Sequence, residues 1–240
     1  MKGSKKHILS LIDDKEFIEK MNTLLVGTNT ILENKNSIFP KSFDIPNEKT
    51  LSTFLRDVWK NKELGNEFTR WWIEFGSRTP QWDIISKCKI NGTDGILLVE
   101  AKAHKSEITG DKGKKIENEP KKIKNHNHIK AAINKANESI NELNDSANLK
   151  LNIDVCYQLS NRVASTWWLA SHNIPVTLIY LGFLNDNYFK DKFQSDKDWQ
   201  NCFEKHTKTV GVQTILNNHI KTKNEYFNFI SKSIDINDLM

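Results

Sequence analysis

At 240 residues, 38% hydrophobic and 27% charged, the chain has the composition of an ordinary globular protein, long enough to bury a sizeable core. No run reaches the roughly 18 apolar residues of a membrane span, and the N-terminal MKGSKKHILSLIDDKEF is broken by acids too soon for a secretory signal. A net charge of +5 suits a phosphate-rich partner without requiring one, and three scattered cysteines (Cys88, Cys156, Cys202) form neither a disulfide framework nor a metal-ligand spacing, so reduced thiols in the cytoplasm are expected.

Helices are expected first. Phe17, Met21 and Leu24 recur at helical spacing, and a second helix after Thr50 would bury Phe54, Leu55, Val58 and Trp59. A third, over 66–75, carries Phe68, Trp71, Trp72 and Phe75 as its apolar stripe, with Gly76 as a stop and Pro80 enforcing extended chain beyond. The period then changes. Residues 82–90 (WDIISKCKI) and 96–104 (ILLVEAKAH) read as strands joined at Asn91-Gly92, a pair suited to the positive φ angles of a two-residue hairpin turn; Asp94-Gly95 is a competing turn. Asn91-Gly92-Thr93 also matches a glycosylation acceptor, read here as turn.

The lysine-rich stretch 105–125 is expected to be a mobile loop. An amphipathic helix follows from Ile129 through Ile133, Ala136, Ile140 and Leu143, then another over about 153–171. Pro175 opens an apolar strand, 176–184 (VTLIYLGFL), long enough to lie inside a sheet. A last helix is expected to carry Ile215, Leu216 and Ile220. A hairpin followed by helical crossover into another strand implies a mixed sheet flanked by helices.

On the strand ILLVEAKAH, Leu98, Glu100, Lys102 and His104 share one face and Leu97, Val99, Ala101 and Ala103 the other. The second face looks packed under a helix; the first turns charged halfway along and needs a compensating partner. If Asn91-Gly92 is the turn, opposed residues have numbers summing to 183, and Asp83 faces Glu100. Two facing carboxylates repel unless a cation lies between them, and Mg²⁺, with Mn²⁺ as a substitute, suits carboxylates plus phosphate oxygens. Lys102 on the same face is placed to hold an attacking water or to stabilise charge developing on phosphate. With Asp94-Gly95 as the turn, this pairing is lost.

These residues resemble the PD-(D/E)xK nuclease superfamily. Pro80-Gln81-Trp82-Asp83 stands where the family's first acid stands, and Glu100-Ala101-Lys102 matches its E-x-K. The resemblance implies an α/β domain with a restriction-endonuclease-like mixed central sheet and an α-β-β-β-α-β core. It implies one domain over 1–240, with a helical N-terminal region over 1–62, a catalytic core about 63–186 and a C-terminal helical extension 187–240. It implies Asp83 and Glu100 as metal ligands with the Ala101 carbonyl, Lys102 as the residue assisting water, and Glu74, or else Glu67, as a supporting acid from the preceding helix. Tyr157-Gln158-Leu159-Ser160-Asn161-Arg162 is similar to a family motif, Q-x-x-x-Y, with Arg162 replacing the tyrosine; Gln158 and Arg162 share a helix face and are placed to orient phosphate or the lysine. With VEAKAH, the pattern resembles small stand-alone members of the superfamily.

The expected activity is Mg²⁺-dependent hydrolysis of DNA, with Arg162, His104, Lys112, Lys114, Lys115, Lys121, Lys122 and Lys124 as candidate nucleic-acid contacts. Each has a plainer reading: a solvated loop for the lysines, a strand-end residue for His104, a structural polar pair for Arg162 with Gln158. His126-Asn127-His128 resembles a metal pair and Trp71-Trp72 and Trp167-Trp168 could stack on bases, with loop residues and core packing as their plainer readings. Cutting both strands would call for a homodimer. The rival functions are a catalytically silent nucleic-acid-binding module of the same fold and a structural or partner-binding protein. No glycine-rich phosphate loop, G-x-S-x-G or zinc spacing supports another enzyme class.

Overall fold

The computed structural model describes residues 1–239 as a mixed α/β fold around a six-stranded sheet. Helices α1 (Ser4–Asp13) and α2 (Phe17–Leu24) lead to a two-residue strand, β1 (Thr30–Ile31). Then come α3 (Leu51–Asp57) and α4 (Lys62–Trp72), whose first turns are capped by the Thr50 and Asn61 side chains. Strands β2 (Ile84–Ile90) and β3 (Thr93–Lys102) follow, then α5 (Lys105–Thr109), α6 (Pro120–Leu143), α7 (Tyr157–Ser171) and β4 (Val176–Leu184). The chain closes with α8 (Asp196–Thr209), β5 (Asn218–Lys221) and β6 (Tyr226–Asp235). No helix among the described residues is long and apolar enough to cross a membrane.

The sheet order is β1-β2-β3-β4-β6-β5, parallel at β3-β4 and β4-β6 and antiparallel elsewhere. Asn91 (φ 50) and Gly92 (φ 78) form the hairpin turn, and Ile84 pairs with Val99 and Ile90 with Thr93, so the register summing to 183 holds. Two apolar layers share the sheet. On one face Leu97, Val99, Ala101 and Ala103 pack with Ile8, Leu11, Phe17 and Met21 of α1 and α2. On the other, Leu98, Leu178, Tyr180 and Phe229 pack under α3, α4, α6, α7 and α8. The tryptophan pairs belong to this second layer: Trp71 lies 5.8 Å from Trp168 and 6.2 Å from Trp167, centroid to centroid, which ties α4 to α7.

Several expectations are corrected. Helix α4 starts earlier than 66 and ends at Trp72, because Ile73 turns extended (φ −140, ψ 148); Glu74 and Phe75 therefore lie beyond it. The stretch 105–125 is not wholly loop: it contains α5 and the start of α6, with Pro120 in the first turn where a missing N–H costs nothing. Only two strands, not three, lie between α4 and α7. The C-terminal extension is not purely helical. Ile215 and Leu216 sit around a turn, Ile220 lies on β5, and β6 runs parallel to β4 inside the sheet, burying Phe227 and Phe229.

Candidate active site

The charged half of β3 meets the N-terminal end of α7. Continuing the β2-β3 register past Ile84 puts Asp83 opposite Glu100, and Asp83 Oδ2 accepts a hydrogen bond from the Ala101 N–H at 2.7 Å. Lys102 Nζ donates to Glu100 Oε1 at 2.5 Å and to Gln158 Oε1 at 2.8 Å. Arg162 Nε donates to Glu100 Oε2 at 2.7 Å, its Nη1 to Asn161 Oδ1 at 2.9 Å, and its guanidinium lies 4.4 Å from the centroid of the Trp82 ring. Glu100, Lys102 and Arg162 are all buried, at 2%, 7% and 7% exposure, so their charges interact with little screening by water. Gln158 and Arg162 reach one spot because residues four apart on a helix lie on one face.

The electrostatics follow. Burial drives the Asp83 carboxyl up, the Glu100 charge adds to it, and Lys102 and the Ala101 N–H only partly offset them, leaving it at about 7. Burial acts on Glu100 the same way, but the charges of Arg162 and Lys102 outweigh it and hold that carboxyl below its usual range. Burial alone would lower Lys102; Glu100 and Asp83 raise it. Two buried cations thus hold Glu100 charged, while the closeness of the two acids is only partly offset and leaves the Asp83 carboxyl titrating near neutrality. A divalent ion held between the two acids would add to this compensation. The donor set still fits such an ion: Asp83 Oδ1 has no hydrogen-bond partner among the described residues, and two carboxylates with a nearby backbone carbonyl match the hard-oxygen preference of Mg²⁺.

The other expected site residues lie elsewhere. Glu74 is exposed beyond α4 and pairs with Lys124 at 3.9 Å; Glu67 pairs with His172 at 3.4 Å. His104 leaves the cluster to stack on Phe189 (4.0 Å between centroids) and to approach Asp191 Oδ2 with Nδ1 at 3.3 Å. Arg162, expected to orient phosphate or the lysine, stays within the cluster and bonds Glu100. Among the lysines, Lys112 bridges to Val155 through backbone, Lys114 lies over the Tyr157 ring at 5.2 Å, and Lys122 pairs with Glu117 and Glu119. Lys121 and Lys124 flank the Phe75 ring at 5.9 and 5.5 Å, and Lys115 is exposed.

Sequence reasoning missed several contributors. Trp82 supplies the platform for Arg162. Tyr180, opposite Glu100 on β4, is buried with its hydroxyl unpartnered, and burial raises that hydroxyl well above its ordinary range. Glu48 adds a weak repulsion at Asp83. Asp111 fixes the start of α7: it accepts from Gln158 N (2.7 Å) and Leu159 N (3.0 Å), a carboxylate at a helix N-terminus. His206 Nε2 lies 3.2 Å from Asp111 and its Nδ1 3.7 Å from Cys156 Sγ. The ligand atoms of Asp111, Cys156 and His206 fall within 4.8 Å of one another. Burial opposes charge on His206, but Asp111 and Cys156 overcome it and raise the imidazole to about 9. An imidazolium between thiol and carboxylate satisfies all three groups, so the trio acts as a latch on the helix that carries Gln158. No sequence motif marks it.

No family model, curated protein or solved structure matches the chain.

Proposed function

We propose that the protein is a metal-dependent nuclease with a restriction-endonuclease-like core that hydrolyses phosphodiester bonds in DNA. The observation that carries this reading is the convergence of Asp83, Glu100, Lys102 and Gln158 on one face at the end of a buried hairpin. Asp83 and Glu100, with the Ala101 carbonyl, would hold Mg²⁺, or Mn²⁺ in its place. The ion, when bound, supplies polarisation of the phosphate and acidification of water. Lys102, held between Glu100 and Gln158, orients the water and meets negative charge developing on the phosphate. Arg162 helps keep Glu100 ionised, and Gln158 shares the Lys102 ammonium with Glu100. Cleavage of both strands by one site per chain would need two copies.

The test is cleavage of plasmid and oligonucleotide DNA with Mg²⁺ or Mn²⁺ by the wild type, Asp83→Ala and Lys102→Ala. The expected result is cutting by wild type alone, abolished by chelator; equal cutting by all three defeats the assignment.

A second reading, a nucleic-acid-binding module without catalysis, is favoured by one observation: both Glu100 oxygens already accept from cations. Salt-dependent DNA binding with no metal-dependent cleavage would select it.

A further inference from the structure

A cavity of about 400 Å³ lies beside the site, between the 73–81 segment, the 114–126 region and the start of α7. We propose that it takes one unpaired nucleotide of the DNA strand, so that the protein acts on single-stranded or locally opened DNA; this rests on the nuclease reading for its substrate class.

Four observations lead there. First, His126 lines the cavity, is 5% exposed, and has both ring nitrogens buried without a hydrogen-bond partner. A buried polar group left unpaired is costly, and a ligand offering a donor or acceptor removes that cost. Second, the walls join aromatic rings to polar edges. Phe75 and Tyr157 contribute aromatic rings that lysines cover in part, and Asn161 an amide whose Oδ1 already accepts from Arg162, leaving ring surface for stacking and the amide Nδ2 for a base edge. Third, the lining is net basic, with Arg78, Lys114, Lys115 and Lys122 against Glu117; Arg78 and Lys115 are exposed and suited to a phosphate backbone. Fourth, the cavity adjoins the reacting groups. Asn161 accepts from Arg162, which holds Glu100, and Gln81 stands two residues before Asp83.

The cavity is also preformed. Asn125 Oδ1 accepts from the N–H groups of Glu74 (3.1 Å) and Phe75 (2.8 Å), and its Nδ2 donates to the Phe75 carbonyl at 2.8 Å, which clamps that wall to α6. A fixed wall lowers the ordering cost of binding. A nucleotide stacked within a continuous duplex cannot enter such a recess; an unpaired or extruded one can.

The experiment measures fluorescence anisotropy in chelator, where no cleavage occurs. The probes are a labelled single-stranded DNA 12-mer, the same strand with abasic sites, and the duplex form. Proteins are wild type, His126→Leu, Phe75→Ala and Lys102→Ala. Wild type is expected to bind the single strand about tenfold more tightly than the abasic strand, and each pocket variant is expected to lose about that factor. Lys102→Ala is expected to keep the discrimination between the normal and abasic strands. Circular dichroism checks folding, and Phe75, only partly buried, serves if His126→Leu fails to fold. Equal wild-type affinity for normal and abasic strands, or tighter binding of duplex, would overturn the proposal. Pocket-dependent binding with no cleavage under any metal would leave the pocket standing and remove the nuclease reading; cleavage untouched by folded pocket variants would do the reverse.

Discussion

Replacing Arg162 by leucine tests the buried charge network most severely. Arg162 Nε holds Glu100 Oε2 at 2.7 Å, and both side chains are more than nine-tenths buried. Removing one partner leaves the other charge short of compensation in a medium that screens poorly, a loss of about 3–5 kcal/mol when no second cation is present. Lys102 still donates to Oε1, which lessens that loss, while the departure of the guanidinium from the Trp82 face adds about 0.5–2 kcal/mol. The net expectation for Arg162→Leu is a destabilisation of about 3 kcal/mol. Urea unfolding followed by tryptophan fluorescence measures it, as a lowered midpoint at unchanged slope. Two controls separate charge from packing. Adding Glu100→Gln removes the stranded charge, so the double variant is expected to recover more than half of the loss. Lowering the pH toward the carboxylate range is expected to shrink the gap between Arg162→Leu and wild type. A single variant within about 1 kcal/mol of wild type, or a double variant no better than the single, would refute the network as described.

Asp83 stands at about 7, above the 3.8 of an unperturbed aspartate, so its ionised form opposes folding once the pH exceeds the unfolded value. Asp83→Asn is therefore expected to raise the urea midpoint at pH 8 and to leave it near wild type at pH 4. The same proton competes with metal: Mg²⁺ affinity by calorimetry should rise with pH up to about 7 and then level, and a flat profile would count against Asp83 as a ligand. His206 runs the other way. Its folded value of about 9 exceeds the unperturbed 6.5, so its contribution is full below 6.5 and lost as the pH rises through 9, a swing of up to about 3 kcal/mol. The stability difference between wild type and His206→Gln should narrow across that window, and a constant difference would show that His206 is not charged in the latch.

The site was legible where local rules sufficed. Asn91-Gly92 sets the turn, the turn sets the register, and the register alone puts Asp83 opposite Glu100. Helical spacing likewise brought Gln158 and Arg162 to one face. What escaped depended on distant contacts. Strand β6 alternates Phe227 and Phe229 with Asn228 in a tail whose polarity hides it, and its partner β4 lies about 50 residues away. Glu74 lies beyond α4 for a single local reason, the break at Ile73, which no proline or glycine announces until Gly76 (φ 90). Helical spacing put Arg162 at the site, but its partner there, Glu100, follows from burial that spacing does not show. Asp111 and His206, 95 positions apart, meet through the packing of α8 against the sheet and against α5, which Asp111 follows.

The central claim is that Asp83 and Glu100 form a divalent-metal centre. An anomalous difference map from a crystal soaked in Mn²⁺, recorded near the manganese absorption edge, tests it most directly. The expected result is a peak within ligand distance of both carboxylates, with the Lys102 ammonium or Arg162 guanidinium drawn back from Glu100. A peak at Asp111, Cys156 and His206 with none at Asp83, or no bound ion at concentrations that support cleavage, would contradict it.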